Sequence, residues 1–495
     1  MIKNNHVVID CFTDEPSGYG APPFIGIHSR YLIGSLINKG YNTSYLTIDD
    51  LRYNKTKFNI DNDKSIRNVT KNKDFVKELL LNAKRVYFVM GRFVDYSYVS
   101  SIPAKLDEVI SFAKKIKCKK TLLYVLPYKS LKTEFIKLFP KNLFDNITNI
   151  SGPELILNTD DFKTIRQIAP KSAKLYNELL NPSIIEIETV RGCNHKPGCA
   201  FCVEALNKKD PIYRPVNDIV SEIKSVYNQG ARYFRLGRQP NFYNYMNANP
   251  EKYEDLFKKI WAVAPNIQTL HIDNTSHQDV VTKDGIKITK LIAKYCTSGN
   301  VGSFGVESFD PYVRTTNNLN GTTETIFKAI EIINKYGKKR GSDGLPKYLP
   351  GLNLIYGLNG ESEDTWKINL KSLKKILDND FLVRRTFVRG LTKPSGYVSS
   401  GSKEYLNSED EFKHWQDEVN QKFSLPMIKK VVPKGTILKN VRSEIITNEG
   451  TIFRQLYTNP IRVLVKKKYK PNTFKDIEII NHINGFTVIG EPIEK

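Results

Sequence analysis

The chain has 495 residues, too many for a single ordinary core and a length that suggests about three domains. Apolar residues make up 40% and charged residues 26%, a balance that excludes a disordered chain, and no run approaches the roughly 18 consecutive apolar residues of a membrane span. Lysine and arginine total 75 against 52 acidic residues, so the net charge is +23; this favours polyanions such as RNA, although a lysine bias spread along the chain has the same arithmetic.

The N-terminus enters a strand-like run, His6–Phe12, with no basic, apolar and small-residue leader ahead of it, so a soluble cytoplasmic protein is expected. A Gly/Pro loop at 14–23 follows, then a helix around Tyr31–Ile37 that ends at Gly40. Further strand patterns at 41–49, 85–91 and 121–128 alternate with helical stretches at 75–81 and 106–116. Such alternation predicts a doubly wound α/β domain over 1–178, with ligands at the carboxyl ends of its strands, where the 14–23 loop falls.

Residues 179–430 continue the alternation through six strand patterns, at 184–190, 231–237, 269–274, 300–307, 351–358 and 381–389. Asn217, Thr322 and Ser362 open the helices between some of them. Six βα units predict a partial (βα)6 barrel of the TIM type, with function at the C-terminal strand ends. From 431 to 495 the runs are short and alternating, the pattern of a small β-barrel-like module of four to six strands. That module carries eleven basic and six acidic residues, and Phe453, Tyr457 and Tyr469 lie among the basic ones, as on RNA-binding surfaces.

Six cysteines are too few for a disulfide scaffold, and Cys11, Cys118 and Cys296 stand alone. Cys193, Cys199 and Cys202 instead share one short loop directly after the first strand of the predicted barrel. Three thiolates can hold three irons of a [4Fe–4S] cluster and leave the fourth iron open to a ligand. With His195 added, the same loop offers four ligands for a closed structural zinc site, the signature of a nucleic-acid-binding protein with a structural metal.

On Cys193, Cys199, Phe201 and Cys202 the loop resembles that of the radical S-adenosylmethionine (SAM) enzymes. The resemblance implies a [4Fe–4S] cluster whose open iron binds the amino and carboxylate groups of SAM. It also implies reductive cleavage to a 5′-deoxyadenosyl radical, hydrogen abstraction from a substrate, and an electron donor such as ferredoxin or flavodoxin. Phe201 matches the aromatic position near the adenine. The spacing departs from the commonest pattern, with five residues rather than three in the first gap, which leaves His195 without a role. Gly237 and Gln239 take the place of the segment that receives the methionine amino group, though a tight loop alone accounts for them. Glu307 and Ser308 fall where related enzymes bind the ribose, and Ile355 and Gly357 where they approach the adenine. Arg384, Arg385 and Arg389 are candidates for the cofactor carboxylate or a substrate carboxylate or phosphate; Asp273 and Asn274 are weaker ones.

The N-terminal domain resembles a cobalamin-binding domain in its Ala21–Gly26 segment but lacks the Asp-x-His-x-x-Gly signature, since Asp14–Gly18 contains no histidine. Cobalamin would therefore bind only without a protein histidine ligand, and a cobalamin-dependent radical SAM methyltransferase is the alternative function. The three-part layout is similar to that of the methylthiotransferases, with RNA as a candidate substrate. Cys11 and Cys118 alone cannot supply the three N-terminal cysteines that sulfur insertion uses. The whole most resembles archaeal Fe–S oxidoreductases of this architecture.

Overall fold

The computed structural model describes residues 5–12, 23–56, 68–91, 102–124, 137–149, 162–202, 210–391 and 408–494. The expected loop at 14–23, Pro23 apart, lies outside them, and so does Asp14–Gly18. Two compact units divide the chain: Met1–Ile187 with Arg214–Phe234 and Lys259–Ile267, and Glu188–Tyr213 with Arg235–Lys258 and Gln268–Lys495. Among the described residues no helix is long and apolar enough to cross a membrane.

The first unit holds a five-stranded sheet of β1 (Asn5–Asp10), β2 (Asn42–Thr47), β3 (Ala83–Met90), β4 (Lys119–Tyr124) and β5 (Asn146–Asn149), in the order β2-β1-β3-β4-β5. All four pairings are parallel. Every residue of β1 is buried, as expected for a central strand covered on both faces. Val7, Ile9, Leu46, Phe88 and Leu122 form the core with Val109 and Ala113 of the helix Leu106–Lys115. The strand order reverses beside β1, and there Asp10 is buried, accepting from Tyr45 Oη at 3.0 Å and the Phe12 amide at 2.9 Å.

The helix Ile27–Asn38 is buried over most of its length and brings a charge, Arg30, into the interior. Its partner is Glu222 on the helix Val216–Asn228, at 2.5 Å. Arg214 donates to the other oxygen of Glu222 and reaches the Asp218 carbonyl at 3.3 Å. Burial raises the cost of the Glu222 charge, but the two guanidiniums outweigh it and hold the carboxyl below its ordinary range. This helix begins at Val216 behind Pro215, so Asn217 lies inside its first turn and does not cap it.

In the chain that follows, strands and helices alternate as the periodicity predicts. The strands are β6 (Ile184–Glu188), β7 (Tyr233–Gly237), β8 (Thr269–Ile272), β9 (Asn300–Glu307), β10 (Tyr348–Tyr356) and β11 (Arg385–Gly390). In the second unit β9, β10 and β11 are successive parallel neighbours. The helix Thr323–Gly337 between β9 and β10 opens on a reciprocal cap: the Thr322 amide donates to Thr325 Oγ1 at 2.9 Å, and the Thr325 amide to Thr322 Oγ1 at 3.3 Å.

The C-terminal strands close into a barrel of β12 (Ile437–Ile446), β13 (Thr451–Arg454), β14 (Arg462–Val465), β15 (Phe474–His482) and β16 (Thr487–Pro492), in the order β12-β13-β14-β16-β15. Phe453 and Tyr457 are buried, so two of the three aromatic residues expected on a nucleic-acid surface are not free to stack on bases, while Tyr469 is half-buried. Phe453 takes Tyr469 edge-on at 5.4 Å, and the Tyr457 hydroxyl donates to Asp343.

The segment between β13 and β14 ties this barrel to the remainder of its unit. Thr269 Oγ1 donates to the Leu456 carbonyl at 2.9 Å, and Arg384 Nη2 to the Asn459 carbonyl at 2.9 Å. His271 is fully buried there, its Nε2 donating to the Ser298 carbonyl at 2.9 Å and its Nδ1 accepting from the Thr458 amide at 3.4 Å. One nitrogen donates and the other accepts, so only the neutral ring fits, and burial pushes the pKa down to about 3. Its stabilising contribution is complete above the unfolded value of 6.5 and is lost as pH falls below it, at up to about 1.4 kcal/mol per pH unit. The thermal midpoint should therefore fall from pH 6.5 to 5 more steeply in the wild type than in His271→Gln. Parallel slopes would show that His271 is not the group responsible.

Candidate functional site

All three clustered cysteines lie in the second unit, on a loop whose base is closed by a short antiparallel pairing of Val190–Arg191 with Ile212–Tyr213. Arg191 grips Glu188, the last residue of β6, through two bonds of 2.8 and 2.9 Å. Thr189 is fastened to the end of β7: its amide and hydroxyl both reach the Gly237 carbonyl, at 3.2 and 3.3 Å. Gly192 and Gly198 take positive φ of 85° and 93°, which lets the loop reverse twice without Cβ strain.

The loop docks on the turn after the short helix Pro311–Thr316, which follows β9. The Ala200 amide donates to the Asn317 carbonyl at 2.9 Å, and His195 Nε2 lies 2.7 Å from the Asn318 carbonyl. Asn317 reaches in the other direction as well, donating to the Asn359 carbonyl at 2.9 Å in the turn after β10. One buried asparagine thus couples the cysteine loop to the ends of two strands. Sequence reasoning passed over Asn317 and Arg314, because a short polar helix carries no motif. Arg314 Nη1 donates to the Val306 and Ser308 carbonyls, both at 2.8 Å, and Nη2 to the Gly321 carbonyl at 3.0 Å.

Around this turn Cys199, Phe201, Ile355 and Leu391 pack against Val313, Leu319 and Leu358. Burial, then the fields of Cys202, Glu307 and Cys193, push the Cys199 thiol up to about 12. Thiols that close together become thiolates only opposite positive charge, so the donor set fits a cationic metal centre. Glu307, at the end of β9, has a positive φ of 60° beside a register shift in the β9–β10 pairing. Burial pushes its carboxyl up to about 8 against the pull of Arg389 and Arg314. Strain and a perturbed carboxyl at a strand end make Glu307 a candidate functional residue.

Residues 187–373 match the family model described as "Radical SAM superfamily". This segment is a radical SAM domain. The chain's family includes the uncharacterized protein MJ0274 of Methanocaldococcus jannaschii, 34% identical over 97% of this chain and 92% of that protein. A second relative, an uncharacterized protein of Archaeoglobus fulgidus, is 30% identical over 96% of this chain and 88% of its own length. Among solved structures there is a likeness to TsrM of Kitasatospora setae, a radical S-adenosylmethionine methyltransferase, at 12% identity and a TM-score of 0.48, covering 78% of this chain and 72% of that one.

As a radical SAM protein this chain is an enzyme, and the family implies a [4Fe–4S] cluster and SAM. The structure brings several of the expected residues together and turns others away. Phe201 and Ile355 share one apolar cluster with Cys199, and Glu307 faces the same thiol. The Gly357 amide, at φ 97°, donates to Glu361 Oε2 at 2.7 Å, as does the Leu358 amide at 2.8 Å. Burial pushes Glu361 up to about 7, and the Trp366 indole donates to its other oxygen. This carboxyl fixes the glycine turn from beneath.

Gln239 is buried and occupied internally: it accepts from Thr189 Oγ1 at 3.1 Å and donates to the Leu236 carbonyl at 3.0 Å. Gly237 and Gln239 thus buttress the root of the cysteine loop. Ser308 is buried, with its hydroxyl turned to Asn369 at 3.4 Å and to the Asp310 amide at 3.2 Å. Arg384, expected on the sixth strand, lies just before β11, which starts at Arg385; it is buried and held by the Asn459 carbonyl. Asp273 is buried at the end of β8, and Asn274 pairs with Ser303 alongside β9.

Proposed function

We propose that this enzyme cleaves SAM reductively at a [4Fe–4S] cluster held by Cys193, Cys199 and Cys202, within a partial barrel formed by β6 to β11. The observation that carries the reading is the packing of Cys199 and Phe201 with Ile355 in one cluster, with Glu307 facing the thiol. When bound, the cluster supplies one electron to the sulfonium, so that the S–C5′ bond breaks to methionine and a 5′-deoxyadenosyl radical that takes a hydrogen atom from the substrate. The chain's own residues position and shield. Asn317 and His195 hold the loop, Phe201 and Ile355 offer an apolar face for the adenine, and Glu307 offers acceptors to the ribose hydroxyls. The electron comes from an external donor of the ferredoxin or flavodoxin class.

Protein purified without oxygen should be brown and contain about four iron and four acid-labile sulfide per chain, and its reduced EPR spectrum should change when SAM is added. A colourless protein with one zinc per chain would overturn the proposal in favour of a structural zinc site. Corrinoid-dependent methyl transfer is a second reading, favoured by the doubly wound strand order of the first unit, which places ligands at the carboxyl ends of its strands. Corrinoid absorption in the purified protein decides it. RNA as substrate rests on charge alone, chiefly the exposed Lys466, Lys467 and Lys468, and requires retention that falls steeply with salt.

A further inference from the structure

The sheet of β9, β10 and β11 has one face packed under helices and one face left open. Gly305, Asn353, Phe387 and Arg385 are half-buried or exposed, whereas their strand neighbours Phe304, Leu352, Thr386 and Val388 are buried. The parallel register sets the open-face residues in rows: Ser303 beside Gly351 and Arg385, then Gly305 beside Asn353 and Phe387.

Two features of these rows are unusual. Arg385 lies flat along the sheet because Gly351 has no side chain; a Cβ there would stand 3.3 Å from Arg385 Cγ and 2.9 Å from Val301 Cγ1. Its Nη2 donates to Ser303 Oγ at 2.9 Å, and its guanidinium carbon is 4.2 Å from the centre of the Phe387 ring. Arg389, one residue pair further along the strand, stands 5.6 Å from that ring. The second feature is Asn353 Oδ1, which is shielded from solvent and accepts from no donor among the described residues. An unmatched buried acceptor costs free energy that a ligand donor would recover.

A third element comes from outside the sheet. Phe486, in the turn between β15 and β16, stacks on Phe387 with ring centres 5.5 Å apart and planes 18° apart. The turn is seated by the Gly485 amide, which donates to Asn420 Oδ1 at 3.0 Å. The C-terminal barrel therefore walls the flank of the edge strand β11.

We propose that Arg385, Asn353 and Phe387, walled by Phe486 of the C-terminal barrel, form the substrate subsite, and that it takes an organic anion through a carboxylate or phosphate group. A planar guanidinium offers paired donors that match either oxyanion, and its place against the sheet is set before the ligand arrives. The ligand's own donor satisfies Asn353 Oδ1. Positive charge gathers here, since Arg385 and Arg389 both stand over the Phe387 ring, and Arg389 and Arg314 both act on the Glu307 carboxyl. The role of the anion as hydrogen donor rests on the radical reading; its binding does not.

The test is titration of the full-length, cluster-loaded protein with inorganic phosphate and, separately, with succinate, by calorimetry at constant ionic strength. One probe should bind saturably at one site per chain, phosphate assigning a phosphoryl group and succinate a carboxylate. Arg385→Gln should weaken it about tenfold, the loss of a charge-assisted bond, and Phe486→Ala about threefold. Lys374→Gln, on the exposed face of the helix Glu363–Asp378, should leave it unchanged. Saturable binding of neither probe, or equal affinity in the wild type and Arg385→Gln, overturns the proposal; if Arg385→Gln does not fold, unaltered affinity in Phe486→Ala overturns it. The radical reading fails by a different sign, the absence of any SAM-dependent EPR change in the wild type without added anion.

Discussion

Cys193→Ala, Cys199→Ala and Cys202→Ala should each reduce 5′-deoxyadenosine formation from SAM to background while leaving the fold in place. Three ligands are the minimum that secures the cluster and still leaves one iron open, so the loss of any one removes the centre and not merely some of its affinity. The loop's position does not depend on the thiols. It is held by the Ala200 amide on Asn317, by His195 on Asn318, and by the Val190–Arg191 pairing with Ile212–Tyr213. Thermal midpoints of the three variants, compared with that of wild-type protein without its cluster, should therefore agree closely. Retained 5′-deoxyadenosine production in any one variant would refute that cysteine's assignment as a ligand. A collapse of the fold in all three would instead assign the thiols to structure.

The largest effect on stability is expected at Glu222. Arg30 and Arg214 are both fully buried, and Glu222 is the carboxylate that sits between them. Removing it leaves two guanidiniums in the interior without their counter-charge, a class of change that costs about 3–5 kcal/mol. Much of the margin of a domain would be lost, so Glu222→Gln should lower the denaturation midpoint sharply. The carboxyl is held below its ordinary range, so its contribution is complete above about pH 4.5 and disappears as pH falls further; the variant should lack this acid limb. Replacing all three charges, as Arg30→Met, Glu222→Leu and Arg214→Met, should recover most of the loss, because an apolar trio carries no desolvation cost. If Glu222→Gln is as stable as the wild type, the two arginines are satisfied by their carbonyl contacts and the triad has no such role.

The alternation of buried strands and amphipathic helices was legible because the parallel strands are covered on both faces and are rich in Val and Ile, as in β1 and β6, every residue of which is buried. The cysteine loop was legible for a different reason. Its three cysteines are close in sequence, so their clustering is visible without the fold. Tertiary structure was needed wherever a residue acts through neighbours distant along the chain. Ser308 and Gln239 stand just past the expected strand ends and Arg384 just before β11, yet packing spends all three on structure. Asn317 shows the reverse, an ordinary polar residue made important by joining the cysteine loop at Ala200 to the turn at Asn359, 42 positions beyond it.

The aromatic residues of the C-terminal module make the same point. Phe453 and Tyr457 occur among basic residues in the sequence, and only the closing of the barrel puts them in its interior, while Phe486, unremarked in the sequence, is brought against Phe387. The sequence by itself determined the clustering of three cysteines on one loop and the order of strands and helices, since both are encoded by short-range spacing. The tertiary structure decided which polar groups face the open sheet and which are consumed by it, because hydrogen-bond satisfaction in a packed interior depends on partners that no local pattern specifies.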